Sequence, residues 1–115
     1  MNREGFIDSI KTVVIEDSIK SVESNLIKPP GRAPEKKLLT LSEWFNKVSS
    51  EDRNMIMQIV KESVETSVFG FLCVLDGVRA IEDDEEKGKL DLYYKKGEKQ
   101  ILLNDPNEDY LHDLL

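Results

Sequence analysis

Apolar residues recur at helical spacing through two long stretches of this chain and alternate at strand spacing through one short one. The longest periodic stretch is residues 49–76. Ile56, Ile59, Val60, Val64, Val68, Phe71, Leu72 and Leu75 fall three and four apart, which gathers them on one face of a 3.6-residue helix. Lys61, Glu62 and Glu65 lie off that face. Ser49 or Ser50 provides an N-cap oxygen, and Glu51 and Asp52 suit the positive end of the helix dipole. Residues 68–75 are apolar on all sides and so need cover from other elements or from a second chain. A buried strand is the rival reading of this run, because Val, Phe and Cys suit strands and Gly70 weakens a helix by about 1 kcal/mol relative to Ala. The upstream register continues through the run unbroken, which favours a helix ending at Asp76-Gly77.

The second periodic stretch is residues 3–27, within an N-terminal segment 1–28. Ile7, Ile10 and Val14 share one flank, and Ile15, Ile19, Val22 and Leu26 form a second stripe. The two stripes drift into a broad apolar face suited to helix packing or to an intermolecular seam. Pro29, Pro30 and Pro34 then break the pattern, making residues 29–39 an extended connector. Lys28, Arg32, Lys36 and Lys37 make this region basic. Its prolines are not spaced as in PxxP docking peptides. The segment 40–76 joins a short helix to the central one. Thr40 and Glu43 fit a capping box, and Leu39 and Trp44 fit a hydrophobic staple, with Trp44, Phe45 and Val48 expected to pack inward.

Beyond Gly77 the character changes. Residues 78–81 suit a short strand or a turn. Glu82, Asp83, Asp84, Glu85 and Glu86 form five consecutive acids, too self-repelling for a core and suited to a solvated loop. Residues 90–94 and 100–103 read as a hairpin. With Lys96-Gly97 as its turn, Lys95 faces Glu98, Leu92 faces Ile101 and Leu90 faces Leu103. Two strands alone are marginal, so the hairpin must pack on helices. Asp105, Pro106 and Glu108 then predict a capped C-terminal helix with Tyr110, Leu111 and Leu114 on its apolar side. These elements describe one domain over residues 1–115 in the α+β class: long amphipathic helices packed with a small antiparallel hairpin in the last third.

Charge sharpens this picture. The formal net charge is −7. Residues 1–81 carry 11 basic and 12 acidic side chains, whereas residues 82–115 carry 5 and 11. Acidity confined to the last third disfavours direct nucleic-acid binding and suits a basic protein partner. No segment reads as a signal peptide or a membrane span, and the lone Cys73 lies in the apolar run, so a cytoplasmic protein of bacterial or viral origin is expected.

Candidate chemistry adds little. Asp83, Glu85 and Gly88 match three positions of an EF-hand loop, but Lys87 and Tyr94 stand where oxygen ligands are required. The single His112 and single Cys73 do not make a usual zinc site. No Gly-rich phosphate loop and no Gly-x-Ser-x-Gly elbow is present, and His112 is expected to pair with Asp109 or Asp113 or to meet solvent. The sequence therefore predicts no cofactor and no enzyme. It points to a non-catalytic protein-interaction module of immunity, anti-defence or adaptor type, with Glu82 to Glu86, Asp105, Glu108, Asp109 and Asp113 as the binding acids. A homo-oligomer joined through Val68, Phe71, Leu72 and Leu75 or through the first helix is the alternative. A small-molecule sensor or enzyme with an apolar pocket near Trp44, Tyr93 and Tyr94 is the third reading.

Overall fold

Helix starts early in this chain because Asn2 caps it: the Gly5 N–H donates to Asn2 Oδ1 at 2.8 Å. The computed structural model describes residues 1–115. Helix α1 (Arg3–Ile10) runs through a π-helical stretch (Lys11–Glu16) into α2 (Asp17–Ile27). The π turn falls where the two apolar stripes of the sequence meet, and the wider i→i+5 turn supplies the register shift between them. Helices α3 (Lys36–Lys47) and α4 (Ser50–Leu75) follow, then strands β1 (Tyr93–Lys96) and β2 (Lys99–Leu102) and a 3-10 helix (Leu111–Leu114). The fold is α+β, rich in helix, with one two-stranded antiparallel sheet near the C-terminus.

The central helix forms as its periodicity predicts, and the run 68–75 is helical. Ser49 is its cap, accepting from the Asp52 N–H at 3.1 Å. Gly70 is buried beneath Arg79, whose Nη1 occupies the place a Cβ would take. The glycine therefore admits a side chain folding back over the helix.

Three elements differ from expectation. Helix α3 begins at Lys36, directly after Pro34-Glu35, so the connector ends there and not at residue 39. Thr40 lies inside the helix and donates to the Lys36 carbonyl, so the Thr40–Glu43 capping box is not formed. Leu39 and Trp44 are exposed instead of stapling the helix start, and only Phe45 of the expected inward set is fully buried. The hairpin has Gly97-Glu98 as its turn, pairing Tyr93 with Leu102, Tyr94 with Ile101 and Lys95 with Gln100. Gly97 takes φ +60°, as the first central position of a type II′ turn demands. This moves the partner of each β1 residue by two, which keeps every side chain on its expected face. Finally, Asp105 accepts from the Asn107 N–H in a local turn, so no helix starts at Pro106, and only Leu111–Leu114 turn helically.

Two compact units can be distinguished. Unit 1 comprises Met1–Thr12 and Thr66–Leu115, and unit 2 comprises Val13–Glu65. In unit 1, Ile7, Leu72 and Leu111 form the core, with Phe6, Val68, Leu75, Leu114 and Leu115 packed on it. Asn104 fastens the hairpin to the end of α4. Its Nδ2 donates to the Leu75 and Leu90 carbonyls, and its Oδ1 accepts from the Leu92 N–H. In unit 2, α2 packs on α3. Asn46 donates to the Ile27 carbonyl at 3.0 Å, and Arg53 donates to the carbonyls of Phe45 and Asn46 at 3.0 and 2.7 Å. The Arg53 guanidinium also lies 5.6 Å above the Phe45 ring. No helix is long and apolar enough to cross a membrane.

Candidate protein-interaction surface

Asp76 follows directly on α4, where the negative end of the helix dipole disfavours a carboxylate. Its side chain is nonetheless only 2% exposed. The compensation comes from the far end of the chain. Asp76 Oδ1 accepts from the Leu111 N–H at 3.0 Å, and Oδ2 accepts from the His112 N–H at 2.9 Å. Both donors are free N–H groups of the first turn of the 3-10 helix, so Asp76 acts as its cap from 35 residues away. Asp76 Oδ2 also lies 2.7 Å from His112 Nδ1, and because a carboxylate oxygen accepts, the Nδ1–H of the ring is the donor.

The ring of His112 is held on every side. Its Nε2 is 3.4 Å from Asp113 Oδ1. Tyr110 stacks on it at 5.2 Å and 19°, and Phe69 meets it edge-on at 5.4 Å and 86°. Phe69 and Tyr110 remain exposed. A buried carboxylate thus fixes an aromatic cluster whose outer rings face water, with Asp113 against the ring and Asp109 next to Tyr110 in sequence. Histidine bound to a buried carboxylate is also the base half of a hydrolytic triad. Here Nε2 faces a second carboxylate, and the one thiol, Cys73, is buried.

The acids singled out by the sequence meet different fates. Glu82 accepts from the Gly88 N–H at 2.8 Å and closes its loop. Asp83, Asp84, Glu85 and Glu86 are exposed and make no internal hydrogen bond or ion pair. Glu108 pairs with Arg3 at 3.3 Å, and Asp105 serves its own turn. Asp109 is exposed, and Asp113 contacts His112.

Of the residues considered for self-association, Leu72 lies within the core and Val68 and Leu75 pack against it. Phe71 alone is open, at 61% exposure. The reason is the broad helical face: the stripe residues at 68, 72 and 75 are used within the chain, and Phe71 lies outside them. The third reading placed a pocket by Trp44, Tyr93 and Tyr94. Trp44 belongs to unit 2 and both tyrosines to unit 1. Tyr94 lines a broad depression of about 1190 Å³ with Met1 and the hairpin turn. A second hollow of about 710 Å³ lies between the end of α4 and the loop that follows, lined by Val78, Ile81, Leu90, Arg79, Lys87 and Lys89.

The Asp76–His112 pair had no sequence signal, because nothing local marks a partner 36 residues away. The aromatic cluster could have been suspected only from the spacing of Tyr110 and His112 beside acids. No family model, curated protein or solved structure matches the chain.

Proposed function

We propose that the protein is a small non-catalytic interaction module of immunity, anti-defence or adaptor type that binds a basic protein partner in the cytoplasm through the acidic residues of unit 1. The observation that carries this reading is the Phe69–His112–Tyr110 cluster, pinned by Asp76 and flanked by Asp109 and Asp113. Preordered aromatic side chains give binding energy at small entropic cost and dominate interface hot spots. Their faces attract arginine and lysine, and neighbouring carboxylates strengthen that preference. Unit 1 carries 8 basic and 14 acidic side chains, a net charge of −6. The unpaired acids at 83–86 add a field that steers a basic partner and rejects an acidic one. The buried thiol of Cys73 fits a reducing compartment.

The test compares capture from the source cell's lysate by wild-type protein, by Tyr110→Ala and by a variant with residues 83–86 neutralised to Asn and Gln. One stoichiometric basic protein is expected on the wild type, weakened about tenfold or more by Tyr110→Ala, a loss of about 1.4 kcal/mol. The same partner recovered equally on all three, or no partner on the wild type, would overturn the reading.

A further inference from the structure

We infer that the hollow between the end of α4 and the loop after it is a binding site for a small aliphatic carboxylate. The site is separate from the protein-partner reading, because its walls are the loop and not the aromatic cluster. The loop is long. Residues 76–92, seventeen in all, join α4 to β1 with no helix or strand among them. Connections beyond about 12 to 15 residues without structure of their own are uncommon in compact domains, and those held in a defined shape usually serve a site. This loop is held by polar ties. The Val78 and Arg79 N–H groups donate to the Cys73 carbonyl at 3.0 and 3.2 Å. Asn104 fastens Leu90 and Leu92 to Leu75, and Glu82 closes residues 82–88 through the Gly88 N–H. The large apolar side chains of the loop take no part in this. Val78, Ile81 and Leu90 are exposed by 50%, 66% and 45%. All three line the same hollow of about 710 Å³. Sites for small ligands span roughly 300 to 1,000 Å³ and are lined mostly by apolar side chains. The apolar wall is thus preformed, and its shape does not depend on burying these residues.

Charge selects the head group. Arg79, Lys87 and Lys89 line the hollow against two acids, Asp76 and Glu82, so its walls carry +1 in a chain of net charge −7. Both acids are committed elsewhere. Asp76 accepts from the Leu111 and His112 N–H groups, and Glu82 accepts from the Gly88 N–H. Lys89 lies 3.4 Å from Asp91, but Arg79 and Lys87 have no carboxylate partner. Gly70 lets the Arg79 side chain lie against α4, so this cation is placed by packing and not by an ion pair. Two unpaired cations beside three open apolar side chains fit an oxyanion carried on a hydrocarbon chain. The walls' single net positive charge matches a carboxylate better than a phosphate monoester, which carries about −1.5 to −2. A neutral or cationic ligand gains nothing from Arg79 and Lys87. A sugar or other wholly polar ligand gains nothing from Val78, Ile81 and Leu90.

The probe is decanoate, titrated by calorimetry into the full chain below its micellar concentration, with amide NMR spectra followed in parallel. Saturable one-to-one binding is expected, with the largest shifts at residues 78–81 and 87–90. Octanoate, two methylenes shorter, should bind about sixteenfold more weakly, or about fourfold per methylene. Decanol keeps the chain and loses the charge, and should bind about tenfold more weakly or worse. Decyl phosphate should bind no more tightly than decanoate. The variant Arg79→Gln/Lys87→Gln should lose about tenfold for decanoate and nothing for decanol, with unchanged helical circular dichroism. Lys87→Gln alone leaves the packing on α4 untouched and should still weaken decanoate several-fold. The inference is overturned by a wild-type chain that shows no saturable decanoate binding, or that binds decanol as tightly. Shifts centred away from the hollow, or decanoate affinity unchanged in the folded charge variants, would overturn it equally. Tighter binding of decyl phosphate would contradict the carboxylate assignment.

Discussion

Asn104 and Asp76 show how single side chains hold unit 1 together. Asn104 satisfies three backbone groups at once, on the Leu75, Leu90 and Leu92 positions of two separate segments. Asn104→Ala strands an N–H and two carbonyls in a partly buried site. It should lower unfolding stability by about 3 kcal/mol, read as a reduced urea midpoint at constant slope. Asp76→Ala removes the cap of the 3-10 helix and the anchor of the His112 ring. A loss of about 2 kcal/mol is expected, together with movement of the His112 ring resonances away from positions set by Tyr110 and Phe69. Unmoved resonances would mean that the cluster holds itself without Asp76. Neither role was legible in the sequence. A buried asparagine or aspartate is recognised by its partners, and these lie 12 to 36 residues away. Trp44 misled for the opposite reason: an aromatic at helical spacing normally faces a core, and here its neighbour Phe45 took that place.

At the scale of elements, legibility followed length. Helix α4 was readable nearly to the residue, because its cap and seven turns of periodic pattern agree. Helix α3 started four residues before its apparent capping box, since Pro34 already ends the extended connector and Lys36 can begin a helix without a side-chain cap. The hairpin was recognised but slipped by two, because the glycine takes the first turn position and not the second. The C-terminal helix failed because Asp105 could equally close a short turn, and the remaining residues were claimed by Asp76. Gly70 offers a test of element packing. Alanine there should give the helix about 1 kcal/mol when Arg79 is also replaced by alanine, and little or nothing when Arg79 is present. Equal gains in both backgrounds, measured by thermal or urea unfolding, would show that Arg79 does not occupy the site.

For the whole molecule, the α+β class and the division of charge were both legible, since each depends on sums over many residues and not on one contact. What the sequence placed in a single acidic tail the structure divides further. Glu82, Asp105 and Glu108 serve internal contacts, Asp113 is exposed but meets His112, and residues 83–86 and Asp109 face outward without an internal partner. The aromatic cluster adds a preordered anchor that charge alone lacks. The most direct measurement is the affinity of the captured basic partner for wild-type protein and for the 83–86 neutralised variant, each titrated across a range of salt. The account predicts that wild-type binding weakens steeply as salt rises and that the variant binds more weakly with a shallower slope. Equal affinities and equal slopes for the two proteins would contradict it.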